Sequence, residues 1–252
     1  MSPRKIYKQE RLLFIIGVLK GGKKLLNSPN FVMKIMIFLD LLNFELSCKS
    51  INQHLMLDYY KIPSFLMKCV TKKYDWQKFN PELVRAYAYA GEYTDQLLEQ
   101  LERVYGKESI EYKRYKRSSE RQKRTKEWFN NFDFFEIKLK PLKIRDNKPK
   151  QKGVDVQMAV DLVSHAYLNN YDVAIICSGD ADLLESVNLV KALGKRVIIV
   201  SKTGTSKEGE SVLAAAMKKD ADSVIDIGKF TEEDFGEFTH LFKPKNEPAK
   251  AL

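Results

Sequence analysis

Four aspartates and one asparagine stand where the chain passes from apolar to polar sequence. They are Asp40 and Asn43 in Asp40-Leu-Leu-Asn43, Asp155 in Lys152-Gly-Val-Asp155, and Asp180 with Asp182 in Ser178-Gly-Asp180-Ala-Asp182. Each aspartate alone has an ordinary explanation, because aspartate caps helix N-termini by accepting orphan amide hydrogen bonds. Gathered at one place they would repel: two carboxylates about 4 Å apart cost roughly 4 kcal/mol at an effective dielectric of 20. A fold keeps such a group only if something neutralises it. Protonation needs several pKa values raised at once, whereas one divalent cation serves all the carboxylates together. An all-oxygen donor set without His or Cys selects Mg²⁺ or Mn²⁺ over zinc. An ion of that kind keeps several waters, bridges to phosphate and activates a water for in-line attack. Gly179 lets the chain turn sharply so that Asp180 and Asp182 both face the cleft. The uncharged Asn43 amide is suited to orienting a water or a phosphate oxygen.

Secondary structure has to bring these residues together, and short apolar runs alternating with helical stretches mark an α/β chain. Strands are expected at Lys34–Asp40, Leu83–Ala90, Phe134–Lys140, Asp172–Ser178, Arg196–Ser201 and Ser223–Ile227. Being apolar on both faces, they suit a mainly parallel sheet covered by helices on each side, a three-layer α/β/α arrangement. Helices are expected from Asn43 to about Val70 with a break at Pro63, from the N-cap Thr94 to about Arg103, and over Val154–Leu168. Two more are expected over Asp182–Leu193, ending at Gly194, and over Ser206–Met217, while Thr71–Pro81 reads as an insertion or loop. Asp40 and Asp180 then follow strands and Asp155 opens a helix. In open α/β sheets ligands bind outside the carboxyl ends of the strands, so Asp40, Asp155, Asp180 and Asp182 are expected at one sheet edge.

The chain has 252 residues, enough for one sizeable α/β domain with additions. Its 44% hydrophobic and 30% charged residues exclude a disordered polymer. A formal charge of +10, from 43 Lys and Arg against 33 Asp and Glu, favours a polyanionic partner. Two basic runs carry much of it. Lys113–Lys126 holds eight Lys or Arg, among them Arg114, Lys116, Arg117, Arg121, Lys123 and Arg124, and Lys138–Lys152 holds seven. Charge runs are often only solvated faces. Here both flank the third strand and the second leads into Asp155, which makes those six residues, together with Lys152 and Ser178, candidate phosphate contacts. Cys48, Cys69 and Cys177 have no zinc or disulfide spacing, as expected of a reduced, cytoplasmic protein. The apolar run Leu12–Leu19 is too short to span a bilayer and reads as part of a helical N-terminal extension, residues 1–32, ahead of a domain at 33–230 and a tail at 231–252.

Other chemistries find no support. His54, His165 and His240 show no acid–base pairing, no Ser-His-Asp arrangement is present, and Gly204–Gly209 lacks the spacing of a phosphate loop. Tyr87 and Tyr89, on a strand, read as core residues.

The segments Phe38-Leu-Asp40-Leu-Leu-Asn43, Val84-Arg-Ala-Tyr-Ala-Tyr89, Lys152-Gly-Val-Asp155-Val…Ala159-Val-Asp161 and Ser178-Gly-Asp180-Ala-Asp182-Leu together resemble the NYN domain, in its LabA-like branch. Gly194-Lys-Arg-Val-Ile and Ala221-Asp-Ser-Val-Ile-Asp226 are similar to that family's closing strands. The likeness runs from about Met33 to Ile227 in the right order. It implies a PIN-like fold and Mg²⁺- or Mn²⁺-dependent cleavage of single-stranded RNA, with Asp40, Asp155, Asp180 and Asp182 as the acidic site and Asn43 as its neutral partner. A homodimer is compatible with the resemblance. Asp161 matches the pattern too, yet lies six residues along the helix from Asp155, about 9 Å away and rotated by roughly 120°, as suits a structural acid. Leu41 and Leu42 stand where the family usually has a small residue, which narrows the expected cleft and leaves an RNA-binding module without catalysis as the alternative. A phosphohydrolase of small esters is disfavoured because position 42 breaks the Asp-x-Asp nucleophile pattern.

Overall fold

A computed structural model describes residues 32–129, 131–204 and 213–241. Strand β1 (Met33–Asp40) is followed directly by helix α1 (Leu41–Lys49), the short strand β2 (Leu55–Leu57) and helix α2 (Lys61–Tyr74). Strand β3 (Pro81–Glu92) leads to α3 (Asp95–Tyr105) and the long basic helix α4 (Ile110–Phe129). After β4 (Phe135–Pro141) comes a hairpin, β5 (Lys143–Arg145) and β6 (Lys148–Lys150), and then α5 (Val154–Tyr167). The remainder is β7 (Val173–Cys177), α6 (Leu184–Ala192), β8 (Arg196–Ser201), α7 (Ala215–Asp220), β9 (Ser223–Asp226), α8 (Glu232–Phe238) and β10 (Thr239–Leu241).

Six strands form one sheet in the order β4-β3-β1-β7-β8-β9, every neighbouring pair parallel. Strand β1 is central because it is apolar throughout: Ile35, Ile37, Phe38 and Leu39 have no accessible surface. Its alternation sends Met36 and Phe38 into a core with Tyr87, Tyr89, Met158, Leu162, Val187 and Met217, from β3, α5, α6 and α7. Ile35, Ile37 and Leu39 take the opposite face, where α1, α2 and α8 contribute Phe44, Ile62, Phe65, Leu66 and Phe238; the Phe65 and Phe238 rings stack there at 4.6 Å. The layers are those expected from both-face apolar strands.

The chain runs from β1 outward to β3 and β4, then returns to the other side of β1 for β7, β8 and β9. The direction of progression therefore reverses between β1 and β7. Such a switch point opens a crevice at the carboxyl ends of the two strands. Leu39 pairs with Cys177, so Asp40 and Ser178 leave the sheet side by side.

Several boundaries differ from the sequence expectation. The helix expected over Asn43–Val70 is two helices separated by β2, and Pro63 does not break the second. It sits in that helix's first turn, where a missing N–H costs nothing. Residues 71–80 finish α2 and form a 3₁₀ turn at Trp76–Phe79 rather than a loop. Part of the expected tail is folded: Phe235 and Phe238 of α8 are buried, and β10 pairs antiparallel with β2. The expected helix over 206–217 is seen only from Ala215, and residues 1–31, 205–212 and 242–252 lie outside the described part. Among the described residues no helix is long and apolar enough to cross a membrane.

Candidate metal centre

The two turns at the crevice are built by local hydrogen bonds that also tie them to each other. Asp40 is the N-cap of α1, its Oδ1 accepting from the Asn43 amide at 3.1 Å. The Asn43 side chain turns the other way and accepts from the Gly179 amide at 3.2 Å, joining the first turn of α1 to the loop after β7. Ser178 has no accessible surface, and its hydroxyl accepts from the Asp180 amide at 3.3 Å. Asp180 in turn caps the short 3₁₀ turn at Ala181–Leu183, taking the Asp182 amide at 3.0 Å. Helix α5 begins after Gly153 at φ 79°, a backbone region that favours glycine, and places Asp155 in its first turn.

The result is a group of three carboxylates. Oxygens of Asp155, Asp180 and Asp182 all lie within 4.8 Å of one another. None of the ion pairs among the described residues involves these three or Asp40. Asp40 is only 5% exposed. Burial pushes its carboxyl up to about 6, against the Asn43 amide, with Asp155 and Asp180 adding repulsion. The Asp155 carboxyl is also raised, first by burial and then by Asp180 and Asp182. The sequence grouped four acids; three meet closely, while Asp40 stands beside them, in their field but outside the 4.8 Å group. Capping and clustering coexist here, since a carboxylate accepts more than one bond.

Asp161 belongs elsewhere. It accepts from Lys138 Nζ at 2.7 Å, the Tyr89 hydroxyl at 3.0 Å and the Gln157 amide at 3.2 Å. It is a structural acid bracing α5 against β3 and β4. Ser178, expected to contact phosphate, is sealed in and shapes the loop instead. Tyr87 and Tyr89 are core residues, and the neighbouring His165 ring stacks on Tyr87 at 5.3 Å.

The first basic run forms helix α4, and its charges divide into two kinds. Lys113, Lys123 and Lys126 are engaged by Glu108, Asp95 and Glu92, and Arg114 lies over the Tyr115 ring at 5.3 Å. Lys116, Arg117, Arg121 and Arg124 are exposed, as is Lys152 three residues before Asp155. Leu41 and Leu42, whose bulk the sequence places beside the acids, line an adjoining cavity of about 390 Å³ together with Arg121. Two glutamines that sequence reading passed over hold this wall in place. Gln122 of α4 donates to the Gly91 carbonyl and accepts from the Tyr93 amide, and Gln151 accepts from the Gly91 amide. A Cβ at Gly91 would meet the Leu142 side chain, which would have to shift to admit it. No spacing rule in the sequence announces such a clamp.

No curated protein matches the chain. A solved structure of a protein of unknown function from Vibrio parahaemolyticus aligns with a TM-score of 0.48 at 19% identity, covering 84% of this chain and 98% of that one. A "putative UDP-N-acetylglucosamine 2-epimerase" from Listeria monocytogenes aligns at 0.35 and 11% identity, covering 77% of this chain and 38% of that one. Neither likeness is strong enough to identify function. The family model of the NYN domain matches residues 34–228, which include all four aspartates and most of the sheet, and the chain belongs to the NYN domain family.

Proposed function

We propose that this protein is a divalent-metal-dependent ribonuclease that hydrolyses RNA phosphodiester bonds, with Asp155, Asp180 and Asp182 as the ligands of Mg²⁺ or Mn²⁺. The observation that carries this reading is the group of three carboxylates at the β1/β7 crevice, unpaired with any described lysine or arginine. Membership of a PIN-like nuclease family points the same way. The residues fit the ion. All donors are carboxylate oxygens, the hard ligands these cations prefer. Small side-chain rotations would bring oxygens already within 4.8 Å of one another around one ion.

When bound, the ion supplies charge stabilisation and an acidified water. The chain supplies the rest. Asn43 fixes the Gly179 loop and so the positions of Asp180 and Asp182. Asp40, buried and held by its capping bond, keeps a fourth carboxylate beside them to orient water. Lys152 and the exposed arginines of α4 attract the RNA backbone. Water adds to phosphorus in line with the 3′ oxygen, whose bond to phosphorus breaks, leaving a 5′-phosphate and a 3′-hydroxyl.

The alternative of a binding module without catalysis draws on Leu41 and Leu42. Both line the neighbouring cavity. Labelled single-stranded RNA incubated with purified protein and Mn²⁺ separates the two. Cleavage that disappears in Asp180→Asn supports catalysis, and RNA bound but uncut by both proteins leaves the binding module.

A further inference from the structure

A second cavity, of about 680 Å³, lies beside the first and shares Glu45, Tyr59, Arg121 and Thr125 with it. The two make one groove. It starts at Leu41 and Leu42, immediately after Asp40, and ends at His54, Arg124 and Trp128.

Its α4 wall is a single helical face. Arg121, Arg124, Thr125 and Trp128 recur at intervals of three, four and seven residues, which places them one above another. Unlike Lys113, Lys123 and Lys126, neither Arg121 nor Arg124 takes part in an ion pair among the described residues. The one acid of the lining, Glu45, is paired with Lys49. Trp128 is 43% exposed, and its ring packs edge-to-face with Phe132 at 4.7 Å. The helix itself is pinned to the end of β3 by Gln122. Exposed guanidinium groups on one helical face beside an exposed aromatic residue are what an unpaired nucleotide chain uses, its phosphates meeting the cations and a base stacking on the ring. An acidic peptide would use the charges but offers the indole a planar group only where it carries an aromatic residue, whereas every nucleotide carries one.

We propose that this groove is the track by which unpaired RNA reaches the aspartate cluster, with Arg121 and Arg124 contacting phosphates and Trp128 stacking a base. The proposal rests on the ribonuclease reading for its direction, not for its test. Binding of a fluorescein-labelled hexauridylate to the full-length protein is measured in EDTA over a range of salt. Arg121→Gln with Arg124→Gln is expected to weaken binding about tenfold or more. Losing two phosphate contacts should also lower the slope of log K against log salt by about 1.4. Trp128→Ala is expected to weaken binding about tenfold with the slope unchanged. Lys218→Gln with Lys219→Gln removes the same charge from exposed positions on α7 and is expected to change binding less than twofold. The proposal is overturned if the groove pair weakens binding no more than the α7 pair, or if Trp128→Ala binds as wild type. Unchanged binding in the groove variants beside Asp180-dependent cleavage removes the groove alone. Groove-dependent binding without metal-dependent cleavage removes the nuclease reading alone.

Discussion

Asp40 sets stability against the chemistry proposed for it. Its folded carboxyl, at about 6, lies above the 3.8 of the free side chain. The folded state therefore holds the proton more tightly between those values, and stability falls as pH rises through that window. Once both states are ionised, the charge costs about 3 kcal/mol in the absence of a cation. Asp40→Asn keeps an oxygen for the Asn43 amide and removes that charge. In EDTA it is expected to be more stable than wild type by up to about 3 kcal/mol at pH 8 and equal to it at pH 3.5, as read from urea midpoints. A variant no more stable at pH 8 would show that Asp40 is not under this strain. Asp180→Asn is expected to lower Mn²⁺-dependent RNA cleavage more than about a hundredfold, since even outer-shell partners of metal ligands cost 10–100-fold. Circular dichroism of that variant should match wild type.

At the scale of elements, the brace formed by Asp161, Lys138 and Tyr89 distinguishes a structural acid from a ligand. Removing the charge of Asp161 leaves the Lys138 ammonium poorly paired in a mostly buried place, a loss of roughly 3 kcal/mol. Asp161→Asn is expected to lose that much stability in chemical denaturation while keeping Mn²⁺ affinity within about threefold by titration; a loss of binding instead would make Asp161 part of the centre. The strands were legible in the sequence because β1, β7 and β8 are apolar on both faces, and the acids were legible because Asp40, Asp180 and Asp182 stand at the ends of such strands and Asp155 opens a helix. The β2 interruption was not, since three residues of sequence give no period. The pairing of β10 with β2 was hidden for the same reason, as it depends on segments far apart in the chain. The face of α4 was readable in principle from the Arg121, Arg124 and Trp128 spacing. The run of like charge around it masked that pattern. Asp40 and Asp180 were both readable as caps and as members of a cluster; both cap, and of the two only Asp180 lies in the close group of three.

For the whole molecule, the +10 charge and the carboxylate group make complementary demands. On the proposed reading, basic surface draws in a polyanion whose own charge bare aspartates would repel, and a divalent ion would let both features coexist. Ion binding to the folded state alone also stabilises it, by about 2.7 kcal/mol at a hundredfold excess over Kd. The melting temperature is therefore expected to rise with Mn²⁺, and to rise more at pH 8 than at pH 5. Protons compete for the raised Asp155 carboxyl at the lower pH. A shift independent of pH would place the ion elsewhere. The most direct measurement is an anomalous difference map from a crystal soaked in Mn²⁺. A peak bonded to carboxylate oxygens of Asp155, Asp180 and Asp182 is the predicted result, and a map empty at that crevice while manganese appears at other sites would contradict it.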